Sequence, residues 1–170
     1  TLSRPSQMTL GIVGLGRIGK RMAHVSRNVF KRVVAYDPYL IEGDFPAYVE
    51  RAASLAELAQ QSDVVSLHTP LTNETKNIIS ADAIAKMKKG ARLINCARGG
   101  LIDEDALKAA LDSGHVGGAA LDVFLKEPAK ESPLFGTPNF ISTPHLGAST
   151  DEAQVNVAIQ VAEQLSDYLV

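Results

Sequence analysis

Short runs of apolar residues alternate with longer amphipathic stretches from one end of the chain to the other. The runs predicted as strands are Leu10 to Val13, Val33 to Tyr36, Val64 to Leu67, Arg92 to Asn95, Gly118 to Leu121 and Phe140 to Ser142. Several are uninterrupted, the pattern of strands buried on both faces. Between them, Ile18, Met22, Val25 and Val29 recur at helical spacing and predict the apolar face of a first helix. Ser54-Leu55-Ala56-Glu57 has the form of a capping box opening a second helix. Asp103 is placed to cap a helix from Glu104 to Leu111, which Gly114 ends. Ser149-Thr150-Asp151-Glu152 has the form of another capping box. It opens a long final helix with Val155, Ala158, Ile159, Ala162 and Leu165 on one face. Strands alternating with helices predict a parallel sheet covered on both sides, a three-layer α/β/α unit wound in both directions.

One turn adds chemistry to that pattern. The first strand runs directly into Gly14-Leu15-Gly16-Arg17-Ile18-Gly19, and the first helix follows at once. In such a turn the first glycine allows a tight bend and the second lets the backbone approach a pyrophosphate. The third lets the helix pack close to the strand. The unpaired N–H groups of the helix's first turn, from Arg17 and Ile18, then face the phosphates. Asp37 lies 18 residues beyond Gly19, at the end of the second strand. There a carboxylate can accept from both hydroxyls of an adenosine ribose and would repel a 2′-phosphate. Together these features predict a Rossmann-type doubly wound parallel sheet that binds NAD in preference to NADP.

Composition narrows the partners. The 170 residues are 45% hydrophobic and 21% charged, a balance suited to one domain with a substantial core. A formal charge of -2 points to neither nucleic acid nor an acidic membrane surface. Cys96 is the only cysteine, which fits a reducing, cytoplasmic setting, and no apolar run of membrane-spanning length and no signal-peptide pattern occurs. His24, His68, His115 and His145 show no metal-ligand spacing. His24, in the first helix, and His115, in a glycine-bounded turn, are expected to be inert.

Ligands of doubly wound sheets bind outside the carboxyl ends of the strands. Polar segments emerge at that edge after strand upon strand. They are Asp37, His68-Thr69-Pro70, Asn95-Cys96-Ala97-Arg98-Gly99-Gly100, Asp122 and Pro144-His145-Leu146-Gly147-Ala148. So many at one rim indicate a single site.

These segments, with Tyr36-Asp37-Pro38, Asp103-Glu104, Ala120-Leu121-Asp122-Val123-Phe124 and Glu127-Pro128, resemble the D-isomer-specific 2-hydroxyacid dehydrogenases over almost the whole chain. Cys96 before Ala97-Arg98, and the run His145 to Thr150, are most similar to the branch acting on 3-phosphoglycerate, at the first step of serine biosynthesis. The alternatives left open are a glyoxylate or hydroxypyruvate reductase, a D-lactate dehydrogenase-like enzyme, and a non-enzymatic NAD-sensing module of the co-repressor kind. Thr1 to Met8 and Asn28 to Arg32 depart from the family pattern, but neither segment reaches the rim.

The resemblance implies a catalytic set of Arg98, Glu127 and His145, and each residue type suits its role. An imidazole titrates near neutral pH and can move the proton of a 2-hydroxy or 2-keto acid. A neighbouring carboxylate orients the ring and favours its charged form. A guanidinium grips the substrate carboxylate with a planar fork. The resemblance also implies that the Arg17 side chain lies along the pyrophosphate and that Thr69 and Pro70 pack near the adenosine or its linkage. Cys96, Ala97 and Asp122 approach the nicotinamide, with Asp122 accepting from its carboxamide. Cys96 is expected as a small buried apolar side chain touching the cofactor by its backbone. Arg98, His145, Gly147 and Ala148 complete the cofactor-facing set. A second, substrate-binding domain lies outside this chain in such enzymes, so the chain by itself is expected to bind NAD and turn over poorly. A homodimer or higher homo-oligomer is also expected.

Overall fold

The computed structural model describes residues 4–169. Seven parallel strands form one sheet: β1 (Thr9–Val13), β2 (Arg32–Tyr36), β3 (Glu50–Arg51), β4 (Val64–Leu67), β5 (Ala91–Asn95), β6 (Val116–Leu121) and β7 (Phe140–Ser142). Their order is β3-β2-β1-β4-β5-β6-β7, so the winding reverses between β1 and β4, where such sheets open a ligand crevice. The helices are α1 (Arg17–Ser26), α2 (Leu55–Gln61), α3 (Ala81–Lys86), α4 (Glu104–Asp112) and α5 (Asp151–Leu169). All six predicted strands are present. The two-residue edge strand β3 and the short α3 have no apolar periodicity long enough to reveal them.

The sheet is buried on both faces. One cluster joins Leu58, Leu67, Leu93, Leu101, Leu107 and Leu134, and a second gathers Leu10, Ile12, Leu15 and Val33 on the α1 side. Ser54 Oγ accepts from Glu57 N, as predicted, and Glu57 returns a carboxylate to Ala53 N rather than to Ser54 N. Asp103 caps α4 through Ala106 N.

Three expectations change. α1 buries Gly19, Ala23 and Ser26 and packs Met22 against the core, whereas Ile18 and Val25 are exposed and Val29, also exposed, lies beyond the end of the helix. The cause is steric. A Cβ on Gly19 would lie 2.1 Å from the Gly14 carbonyl oxygen, so the helix approaches the strand through its small residues. Its larger apolar stripe then lies one residue, roughly 100°, around the axis. The predicted apolar face of α5 is likewise exposed, with Val155 58% and Leu165 56% accessible. The N-terminus of α5 is capped by Thr150, which accepts from Ala153 N, while Ser149 donates its hydroxyl to the His145 carbonyl.

Candidate active site

The last residues of the central strands stand in one row across the sheet: Tyr36, Val13, Leu67, Asn95, Leu121 and Ser142. Parallel register then brings their successors, Asp37, Gly14, His68, Cys96, Asp122 and Thr143, to the same rim. Four hydrogen bonds extend the ladder into it: Gly14 N to Tyr36 O, His68 N to Val13 O, Asp122 N to Asn95 O and Thr143 N to Leu121 O.

The glycine turn has the shape its spacing predicted. Gly14 adopts φ +89°, a left-handed conformation that favours glycine, and a Cβ there would also strike the His68 carbonyl. Gly16 caps α1 with no side-chain hydrogen bond, and a Cβ on it would meet nothing within 4 Å. Two adjoining cavities meet at this open point. One, of about 340 Å³, runs from Gly16 to Asp37. The other, of about 440 Å³, runs past Arg17 and Ile18 to Cys96, Ala97 and Arg98. His68, Thr69 and Pro70 wall both. The buried Thr69 Oγ1 has no hydrogen-bond partner. Asp37 accepts from Leu15 N and Tyr39 N, one on each oxygen, and keeps further lone pairs for a ligand. An elongated cleft with an open glycine at its waist, an orphaned hydroxyl beside it and a carboxylate at one end fits a dinucleotide.

His68 is expected at the rim but with no role assigned. Its Nε2 pairs with the buried Ser66 hydroxyl, and burial holds its pKa below the ordinary histidine value, so it is neutral. Cys96 is exposed rather than buried, a correction to the sequence expectation. It follows β5 at the rim, beyond the core-facing strand. Partial desolvation first and the Asp122 carboxylate second push the thiol up, so it is protonated. Asn95, likewise expected at the rim without a role, holds the Cys96–Arg98 turn. Its amide donates to Arg98 O and its oxygen accepts from Ala97 N. Gly99 lets this turn lie against the next segment, since a Cβ there would sit 1.8 Å from the Phe124 carbonyl oxygen.

Glu127 and His145 meet directly. His145 Nδ1 lies 2.6 Å from Glu127 Oε2, and Glu127 Oε1 accepts from Phe124 N. The hydrogen bond to His145, then that from Phe124, holds the Glu127 carboxyl below the usual glutamate range. An ionised carboxylate requires the Nδ1 proton, so the tautomer assigned here leaves Nε2 as the nitrogen open to a substrate. The pair borders a cavity of about 370 Å³ lined with Asp122, Phe124, Pro128, Phe135 and Thr143.

Asp122 is buried between the two regions. Its Oδ1 accepts from Thr143 Oγ1 and Leu146 N, and its Oδ2 accepts from Gly147 N. Burial would raise its pKa, but these hydrogen bonds and the nearby His145 lower it, so the carboxylate is ionised. One acceptor position on Oδ2 remains. Arg98 is exposed at the mouth of the second cavity, its Nη1 donating to Ala97 O, and it does not touch the His145–Glu127 pair. Gly147 and Ala148 lie in a 3-10 turn after His145; the Ala148 side chain falls outside the described set.

Known proteins resemble this chain in sequence and fold. The D-isomer specific 2-hydroxyacid dehydrogenase, NAD binding domain family matches residues 1–147. D-3-phosphoglycerate dehydrogenase of Bacillus subtilis is 51% identical over 160 residues, 94% of this chain and 30% of that protein. D-lactate dehydrogenase from Aquifex aeolicus, solved with NAD and lactic acid, superposes with a TM-score of 0.86 at 31% identity, over 99% of this chain and 55% of that one. NAD-dependent formate dehydrogenase from Staphylococcus aureus, solved with NAD, gives 0.88 at 34%, over 98% and 50%. The chain spans about a third of the length of the curated relative and half that of the solved ones. With that match added to a glycine turn, a nucleotide-shaped cleft and a polar rim, the chain belongs to the D-isomer specific 2-hydroxyacid dehydrogenase family and is built as its NAD-binding domain.

Proposed function

We propose that this chain supplies the cofactor cleft and the proton-transfer groups of an NAD-dependent D-2-hydroxyacid dehydrogenase, and that the substrate is 3-phosphoglycerate. The observation that carries the reading is the His145–Glu127 pair, 2.6 Å apart at the end of the same rim that forms the nucleotide cleft. NAD, held by the glycine turn and Asp37, would supply the hydride acceptor for C2 of the hydroxy acid. His145 Nε2 takes the hydroxyl proton as the carbonyl forms, and Glu127 holds the ring and balances the imidazolium charge. Arg98 grips the substrate carboxylate with the donors that Ala97 O leaves free. The remaining Oδ2 acceptor of Asp122 would take a hydrogen bond from the cofactor's carboxamide. Gly16, the first N–H groups of α1 and Thr69 Oγ1 would hold the pyrophosphate region, and Asp37 the ribose. A further domain of the same enzyme supplies the other substrate contacts and excludes water when the cleft closes.

Identity of about half with enzymes named for 3-phosphoglycerate favours that substrate over the lactate of the D-lactate dehydrogenase structure. NAD reduction by the enzyme carrying this domain tests it. The expected kcat/KM is at least about tenfold higher with 3-phosphoglycerate than with D-lactate or glycolate. Preference for either of the others overturns the substrate assignment, and no turnover of any hydroxy acid favours a sensing module instead.

Asp37 sets the cofactor preference. A carboxylate beside a 2′-phosphate is a like-charge contact, so the chain is expected to bind NAD at least about tenfold more tightly than NADP. Asp37→Ala narrows the gap. Equal affinities in the parent chain, measured by fluorescence titration with the reduced cofactors, would remove Asp37 from this role.

A further inference from the structure

His145 has φ +55° and ψ +54°, a left-handed backbone. Among the described residues only Asn77 and Asn139 share a positive φ without being glycine, a region that few residues with a side chain occupy. A strained residue persists where its surroundings over-determine it. Here the determinant is Asp122. Its carbonyl accepts from His145 N at 2.8 Å, and its carboxylate accepts from Leu146 N at 2.8 Å and Gly147 N at 3.1 Å. Successive backbone N–H groups following a left-handed residue form an anion-binding nest, and the anion in this one belongs to the chain itself.

The two amides engage one carboxylate oxygen each, and Thr143 adds a third donor on Oδ1. Its backbone N donates to Leu121 O, next to Asp122, and its Oγ1 donates to Asp122 Oδ1 at 2.5 Å. Thr143 lies two residues before His145, and it is the rim residue that follows β7. We propose that Thr143 is a positioning residue for the reaction: its hydroxyl locks the Asp122 carboxylate in the nest, and the nest holds His145 left-handed with Nδ1 on Glu127. This rests on the reading of His145 as the proton-transfer group.

Thr143→Val removes the donor while keeping the shape, and Thr143→Ser keeps the donor. In the enzyme carrying this domain, Thr143→Val is expected to lower kcat about tenfold, the loss of one hydrogen bond to a charged group, and to move the KM for NAD less than threefold. Thr143→Ser should restore most of kcat, and in a His145→Ala background Thr143→Val should add nothing. On this chain, nitrogen-15 NMR of the His145 ring should report a single Nδ1–H tautomer in the parent and in Thr143→Ser, and a mixture in Thr143→Val. Parental kcat in Thr143→Val, failure of Thr143→Ser to rescue, or additivity with His145→Ala overturns the proposal. If His145→Ala keeps its activity, the reading of His145 falls instead, and the ring tautomer alone decides the lock: an unchanged Nδ1–H in Thr143→Val refutes it.

Discussion

Replacing His145 with alanine in the enzyme that carries this domain is expected to lower kcat by about a thousandfold, within the range that positioned acid–base groups contribute. NAD binding should survive, because the Asp37 end of the cleft and the open space at Gly16 lie elsewhere on the rim. Glu127→Gln should cost less. An amide can still accept from Nδ1 but cannot balance an imidazolium, so geometry survives and charge does not. The pair also sets a lower pH limit. Its hydrogen bonds depress the Glu127 pKa in the folded state, so the stabilisation they give is complete above the ordinary glutamate value and is lost as pH falls through the lowered folded value. With about a third of the Glu127 side chain exposed, that contribution is small in stability, and its weight is in orientation. Steady-state kinetics of the two variants, with NADH binding followed by fluorescence, checks the prediction. A His145→Ala enzyme keeping more than a tenth of parental kcat defeats the assignment.

The glycine turn offers a paired prediction with opposite outcomes at two positions three residues apart. At Gly19 a methyl group would lie 2.1 Å from a backbone carbonyl, so strand and helix must separate. Gly19→Ala is expected to cost about 1–3 kcal/mol and to lower Tm by several degrees. At Gly16 a methyl group meets nothing within 4 Å, and φ of −71° suits any residue. Gly16→Ala should therefore change stability by less than about 1 kcal/mol, the small loss of replacing glycine by alanine at a helix N-cap. Its cost falls on the ligand. The methyl group fills the space through which the backbone would approach a pyrophosphate, and NAD affinity should fall at least about tenfold. Thermal unfolding and NADH titration of both variants separate the effects. Parental NAD affinity in Gly16→Ala would show that the cofactor does not pass this glycine.

Much of this was legible along the chain because its signals are local. Six strands were readable from apolar runs, the turn from glycine spacing, and α2 and α4 from their caps. The misses have physical causes. β3 is two exposed charged residues at a sheet edge, without a hydrophobic pattern. The apolar stripe of α1 was assigned to the core because periodicity reports that a helix has an apolar side, not which side faces inward. Steric fit at Gly19 decided that, and it turned Ile18 and Val25 outward. The roles of His68, Asn95 and Thr143 escaped because each acts through a partner, and the partners of Asn95 and Thr143 make them supports for more conspicuous neighbours.

The sequence by itself determined the winding of the sheet, the nucleotide turn and the rim at which every polar segment emerges, because strand order and register carry the residue after each strand to one edge. Tertiary structure decided which of those residues meet. Glu127 and His145 are 18 residues apart and join only because the loop after β6 folds back on the turn after β7. The left-handed backbone of His145 depends on the buried carboxylate of Asp122, 23 residues earlier in the chain. No local pattern encodes such a contact. A hydrogen bond between distant residues is specified by packing, which brings the donor and acceptor to the same few ångströms.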